Sequence, residues 1–225
     1  MQDRKLPWHS VMGAMVHKDA LCELRSKYAF SALAMFALTT LASISMSLAG
    51  AAVSSALAAA LLWIILFFCA MAGLSRIFVQ EQEAGTLFTL RLYAGAQAVY
   101  WGKTIFNGLL LIALTVLVLP LFIILLNFSV SLWPELGLVL VLGDIGIATV
   151  STLTALMICR AGGKGSLYTV ITFPLLLPQF LMVIAATIRV FDGILPGIQD
   201  FVFMAGYDIA VLFATSILFD YLWYD

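Results

Sequence analysis

Charge is what this chain has least of. Only 10% of its 225 residues are Asp, Glu, Lys or Arg, whereas 64% are hydrophobic. Soluble domains are about a quarter charged. The scarcity, with a mean hydropathy of +1.11, marks an integral membrane protein with little of its mass in water. No nucleic-acid partner is expected. Histidine is nearly missing: His9 and His17 stand near the N-terminus, outside every long apolar run. The three cysteines, Cys22, Cys69 and Cys159, are far apart, with no CxxC and no Cys/His cluster. A zinc site or disulfide framework is therefore not expected, and buried free thiols are. Nor is there a nucleophile–base pair, so catalytic and metal sites are both expected to be absent. The turn Ala161-Gly-Gly-Lys-Gly-Ser166 has Ile158 and Gly165 where a phosphate-binding loop needs glycine and Ser/Thr. Any ATP must sit on another chain. Residues 1–29 hold Arg4, Lys5, Lys18, Arg25 and Lys27 with no long apolar core before Phe30, unlike a secretory signal.

What the chain has in quantity is apolar length. Crossing the hydrocarbon core takes about 20 apolar residues. Six stretches qualify: Phe30–Gly50, Val53–Leu74, Thr104–Leu126, Leu136–Cys159, Leu167–Ile188 and Val202–Leu222. The first two form a hairpin through Gly50-Ala51-Ala52. Ten of the eleven Lys and Arg residues fall on one side of this arrangement, and only Arg189 on the other. The positive-inside rule then places both termini in the cytoplasm and favours an even number of spans. Residues 14–28 read as an interfacial amphipathic helix. Val16, Ala20, Leu21, Leu24 and Tyr28 share one face, Lys18 and Arg25 point away, and Lys27 snorkels. The loop 189–201 reads as a turn with a short interfacial helix. The whole chain forms one transmembrane domain.

One segment breaks the apolar pattern. Glu81, Glu83, two glutamines, Arg76 and Arg91 fall within sixteen residues between the second and third spans. Span two is expected to run on through Phe78 into Glu81–Glu83. Gly85 should break the helix and Thr86 should N-cap the next one. Leu87, Leu90 and Ala94 give that second helix one apolar face, and it runs through Tyr100 and Trp101, at interface depth, before Lys103 and span three. The result is a helical hairpin over residues 76–100, with carboxylates near its tip. It either sets topology as a solvated loop or receives and delivers a force.

Inside the spans, Asp144 and Asp208 are the polar candidates. A carboxylate at mid-membrane costs about 2.5–3.5 kcal/mol on the insertion scale. Asp144 either bonds to a Ser or Thr of another span or serves gating. Pro174 and Pro178 free backbone carbonyls in span five, giving a fixed bend or a hinge. Small residues four apart (Ser43, Ser47, Ala51; Ala52, Ala56, Ala60) permit close helix contacts. Arg189 is expected to pair with Asp192 or a lipid phosphate. Met182 and Met204 read as packing residues rather than axial ligands.

The pattern Phe78-x-x-Glu81-x-Glu83-x-Gly85-Thr86-Leu87-x-x-Leu90, followed by Gly102-Lys103, resembles the first cytoplasmic loop of type-2 ABC exporter permeases. With Lys18-Asp-Ala-Leu-Cys-Glu-Leu-Arg-Ser-Lys-Tyr28, Pro174-x-x-x-Pro178 and the ending Phe219-Asp-Tyr-Leu-Trp-Tyr224, the chain is similar to the CcmB family. That family is the membrane subunit of the cytochrome c maturation (heme exporter) ABC complex. Where the family carries a proline after the second loop helix, this chain has Ala94-Gly95-Ala96. The resemblance implies an all-α, six-span, type-2 ABC exporter-like permease in a bacterial inner membrane. It implies coupling to the ATPase through Glu81, Glu83, Gly85, Thr86, Leu87 and Leu90. Its implied partners are a CcmA-type ATPase, a second CcmB copy, CcmC-, CcmD- and CcmE-type proteins and membrane lipids. ATP and heme are carried by those partners, and no cofactor by this chain. The rival expectations are a permease for a lipid or other hydrophobic compound, and a proton-coupled secondary transporter using Asp144 and Asp208.

Overall fold

The computed structural model describes residues 8–26, 28–48, 51–74, 78, 81, 83–160 and 166–224. Lys27, Arg76, Gly50 and the turn 161–165 lie outside them, as do most residues between 75 and 82. The regular elements are all helices: α1 (Trp8–Ser26), α2 (Tyr28–Leu48), α3 (Ser55–Leu74), α4 (Thr86–Tyr93), α5 (Ala96–Leu125), α6 (Trp133–Arg160), α7 (Ser166–Phe191) and α8 (Ile198–Tyr224). Six of them, α2, α3, α5, α6, α7 and α8, are long and apolar enough to cross a membrane. The protein is a multi-pass, all-α membrane protein, as its apolar runs require.

The bundle is organised around α6, which packs against α3, α5, α7 and α8. Small residues allow this. A Cβ at Gly143 would stand 2.0 Å from the Trp63 ring of α3, so the indole fills the space a side chain would take. Its Nε1–H donates to Thr187 of α7 at 2.9 Å, and Thr187 donates to the Val183 carbonyl. Hydroxyls and amides join the other helices. Asn107 donates to Thr152 at 2.8 Å, Thr115 to Asp144 at 2.9 Å and Thr172 to Thr154 at 3.0 Å. Between membrane helices such bonds contribute about 0.6 kcal/mol each on average. Apolar burial does not drive helix pairing in lipid, so close packing and these bonds fix the arrangement. α2 and α8 lie at the edges and keep most of their surface exposed.

Three connections differ from the sequence expectation. First, the helix expected to run from Thr86 through Tyr100 and Trp101 divides at Ala94–Gly95, and its second part is the start of α5 at Ala96, with Tyr100 and Lys103 buried. Tyr100 is buried inside the bundle. It packs on Phe219, and its hydroxyl lies 2.6 Å from that of Thr215. Second, no separate helix forms in 189–201. The chain turns at Gly193 (φ 73°), and α8 starts at Ile198. Asp200 explains the early start, because its Oδ2 accepts the Gly197 N–H at 2.8 Å. Third, Arg189 pairs with Asp200 at 2.8 Å, whereas Asp192 accepts from Ser55. α7 runs unbroken through Pro174 and Pro178, both on its exposed side. The Tyr207 hydroxyl of α8 donates to the Leu175 carbonyl, three residues before Pro178.

Gly143→Ala forces a methyl into the Trp63 ring. Overpacking of this kind costs about 1–3 kcal/mol, so the thermal midpoint of the detergent-solubilised protein should fall. Gly137→Ala, with nothing within 4 Å, should leave it unchanged or raise it.

Candidate functional site

The charged end of the bundle carries both termini of the described chain, the segment around Glu81 and α4. Its geometry begins with Gly85. This residue has φ 68° and ψ 9°, a left-handed conformation that glycine adopts without steric cost. The chain turns there, and α4 starts at Thr86. Gly85, not Thr86, occupies the cap position, and no side chain caps the helix. The Thr86 hydroxyl instead reaches back to Glu81, 2.6 Å from Oε2 and 3.2 Å from its carbonyl. Ala94 (φ −115°, ψ 130°) and Gly95 (φ −69°, ψ 147°) are extended, so the helix ends at Tyr93 and a new one starts at Ala96. The Ala-Gly pair produces the break without a proline.

Glu81 is not at the tip. It is buried, 8% exposed, in an ion cluster that joins three parts of the chain. Lys103 of α5 stands at its centre, 1% exposed, with Nζ 2.9 Å from Asp19 Oδ2 and 3.0 Å from Glu81 Oε1. Lys18 of α1 closes the ring, 3.3 Å from Asp19 and in contact with Glu81. The Phe78 ring lies 5.7 Å from the Lys103 ammonium. Two cations face two carboxylates, so the cluster is neutral, as buried charges must be. Burial alone would raise the Glu81 pKa. The charge of Lys103 and hydrogen bonds from Lys18, Thr86 and Lys103 reverse this, lowering it from 4.5 to about 2. For Lys18, burial works against the charged form, but the bond to Glu81 and the attraction of Asp19 and Glu81 win, and its pKa rises.

α1 is therefore a docked helix as well as an amphipathic one. It begins at Trp8, before residue 14, and its inward line is Val11, Met15 and Asp19. Met15 sits on Gly102 of α5, where an added Cβ would lie 2.9 Å from Met15 Cβ. Val16 and Ala20 are half-buried, Leu21, Leu24 and Arg25 exposed, and Lys18 bends into the cluster. His9 and His17 are both on the exposed side of this helix.

α4 has two apolar faces. Leu87 and Leu90 pack inward on the core with Ala94. Phe88, Leu92 and Tyr93 point out, 72%, 68% and 85% exposed, and Glu83 and Gly85 are exposed beside them. Arg91 lies 5.4 Å over the Trp223 ring of α8. Its pKa is lowered by burial and by Arg160. Arg160 itself binds the Leu222 carbonyl through two nitrogens, at 2.6 and 3.1 Å. Thus α4 is linked at its start to the ion cluster through the Thr86–Glu81 bond and near its end to α8 through Arg91. A cavity of about 570 Å³ remains between α1, α4 and α5, over the ion cluster, bordered by Cys22, Thr89 and Tyr93.

The sequence singled out Glu81, Thr86, Leu87 and Leu90, and these meet around one helix start. Asp19 and Lys103 were missed as partners. Asp19 stands in the inward line four residues after Met15, and Lys103 lies one turn after Val99 on a buried face. That periodicity was the available signal. Asp144 and Asp208 lie far up the bundle, near neither α4 nor each other's helix face. Among the described residues no group of three or more His, Cys, Asp or Glu stands together as a metal site would. A second hollow, an almost wholly apolar groove of about 650 Å³, runs between α3 and α7, lined by Phe67, Phe68, Phe173 and Pro174.

Removing Lys103 would strand two buried carboxylates, at a cost of about 3–5 kcal/mol for such a break. Lys103→Met should therefore release α1, read as faster proteolysis at Arg25, with a smaller effect from Lys18→Met. The low Glu81 pKa stabilises the folded end fully above about pH 4.5, and that contribution is lost as pH falls through about 2. Glu81→Gln should remove this acid limb from the stability profile. An unchanged profile would contradict the ion cluster.

No curated protein and no solved structure matches the chain. A protein-family model does: the CcmB protein family matches residues 10–218. The matched region starts in α1, crosses the ion cluster and α4, and ends in α8. This covers nearly all of the sequence, and the chain belongs to the CcmB family, the permease component of heme-exporter ABC systems.

Proposed function

We propose that this chain transmits the movement of a separate CcmA-type ATPase into a cytochrome c maturation complex, with α4 as the contact. The observation that carries this reading is the outer face of α4. An eight-residue helix presents Phe88, Leu92 and Tyr93 to solvent, while Leu87 and Leu90 pack half-buried on the core, Thr86 bonds Glu81 and Arg91 stacks on Trp223. A helix that is greasy outward and linked inward at both ends suits a cleft on a partner. Glu83, exposed at the turn, adds charge at the rim. The clustering of Lys and Arg at this end supports a cytoplasmic position for α4 and both termini in a bacterial inner membrane.

In this reading closure of the ATPases pushes on α4, and the Glu81–Lys103 cluster passes the push to α5 and α1. A second copy of the chain completes the permease. ATP stays on the ATPase, and heme on subunits of the CcmC and CcmE kind, with CcmD in the same assembly. The output is delivery of heme or release of the heme-loaded CcmE chaperone. The apolar groove between α3 and α7 supports a second reading, export of a lipid or other hydrophobic compound. Transport by vesicles that hold only this permease and its ATPase separates the two.

Truncating docked aromatic anchors costs about 2 kcal/mol or more, about 30-fold in affinity. Phe88→Ala with Tyr93→Ala should leave the subunit in the membrane but reduce the ATPase that co-purifies with it by that order. Full recovery of the ATPase, with undiminished hydrolysis, would sink the reading.

A further inference from the structure

Asp208 and Gln179 meet at mid-height of the bundle, where α6, α7 and α8 converge. Gly146 makes the meeting possible, because a Cβ there would lie 2.8 Å from both Asp208 Oδ1 and Gln179 Nε2. Asp208 is 5% exposed and Gln179 1%. Three oxygens at this junction, Oδ1 and Oδ2 of Asp208 and Oε1 of Gln179, are buried without a hydrogen-bond partner among the described residues. Gln179 stands close enough to Asp208 to interact with it. Its amide, however, is turned to the Leu142 carbonyl, at 3.2 Å. Even with the second amide proton counted toward Asp208, one donor faces three acceptors.

The surrounding donors are engaged elsewhere. Tyr207 donates to the Leu175 carbonyl, and Tyr100 and Thr215 bond each other. Arg189 pairs with Asp200, Lys103 with Asp19 and Glu81, and Arg160 with the Leu222 carbonyl. Asp144 is on the same helix as Gly146 but faces α5, where Thr115 serves it. Among the described residues this junction holds three acceptors, no cation and at most one spare amide N–H, a costly arrangement in a membrane interior. It calls for a positive occupant. Neither of the two hollows described above reaches the junction, and all three oxygens lack solvent-accessible surface. Only the smallest cation fits.

We propose that Asp208 binds a proton and, as a neutral carboxylic acid, donates it to Oε1 of Gln179, so that an acid–amide pair joins α8 to α7 across Gly146. The carboxylate takes the proton from hydronium, leaving water. All three stranded oxygens are then served: the acid O–H reaches Gln179 Oε1, and the remaining Asp208 oxygen accepts the spare amide N–H. The proposal is independent of the coupling role of α4.

Infrared spectroscopy of the full chain, reconstituted with its complex in lipid vesicles, tests this. At neutral pH the spectrum should contain a protonated-carboxyl C=O band that is absent from Asp208→Asn. Gln179→Leu, which removes the acceptor, should shift that band to the higher frequency of an acid without a hydrogen bond. Asp208→Asn keeps an N–H donor in place of the acid proton, and should assemble and melt like the parent. If that variant fails to fold, isotope-labelled aspartate in the parent and in Asp144→Asn still assigns the band. A spectrum with no such band means an ionised Asp208 and overturns the proposal. So does a melting temperature that rises with sodium or potassium over choline chloride and loses that dependence in Asp208→Asn, which would make the occupant an alkali cation.

Discussion

The ammonium of Lys103 is the constraint on which the charged end of this molecule is built. A lysine with 1% exposure exists only if carboxylates are brought to it. Asp19 and Glu81 come from different segments, one on the N-terminal helix and one at the start of the loop. Satisfying one charge therefore locks three segments that are far apart in sequence. The position of α4 follows, because its first residue, Thr86, bonds the same Glu81. Arg91 over Trp223 fixes its other end. The outward aromatic face of α4 is thus held by one link to the ion cluster and one to α8.

Higher in the bundle a different logic holds. α6 carries Gly143, Asp144, Gly146, Thr149, Ser151, Thr152 and Thr154, yet it is the most enclosed of the spans. Its glycines admit Trp63, Asp208 and Gln179, and its hydroxyls find partners on α5 and α7. Helix contact in the membrane rewards smallness and hydrogen bonding, so a helix rich in glycine and hydroxyls lies at the centre, while α2 and α8 keep most of their surface exposed.

The demands of the bilayer decide what could be read in advance. The number of spans and their approximate limits were legible, because lipid demands about 20 apolar residues per crossing and each run is continuous. The break at Gly85 was legible because few other residues tolerate its backbone. Helix through Tyr100 and Trp101 was legible as well, but not that this stretch is the start of α5 rather than the end of α4, because no proline marks the break at Ala94–Gly95. Glu81 was correctly singled out as unusual but misplaced at the tip. Its charge looked like a surface feature until Lys103 and Asp19, 22 and 62 residues away in sequence, were seen beside it. Pairings of that range leave no local pattern.

The length of α5 ties the ion cluster to the bilayer itself. From Thr104 to Leu125 the helix rises about 33 Å at 1.5 Å per residue, close to the roughly 30 Å of hydrocarbon. Lys103 is thus the first residue beyond the oil, and Asp19 and Glu81 mark the same level. In a thicker membrane the cluster would be drawn below the headgroups, and in a thinner one it would stand clear of them. The salt bridge acts as a draught mark, setting how deep the whole helix bundle floats.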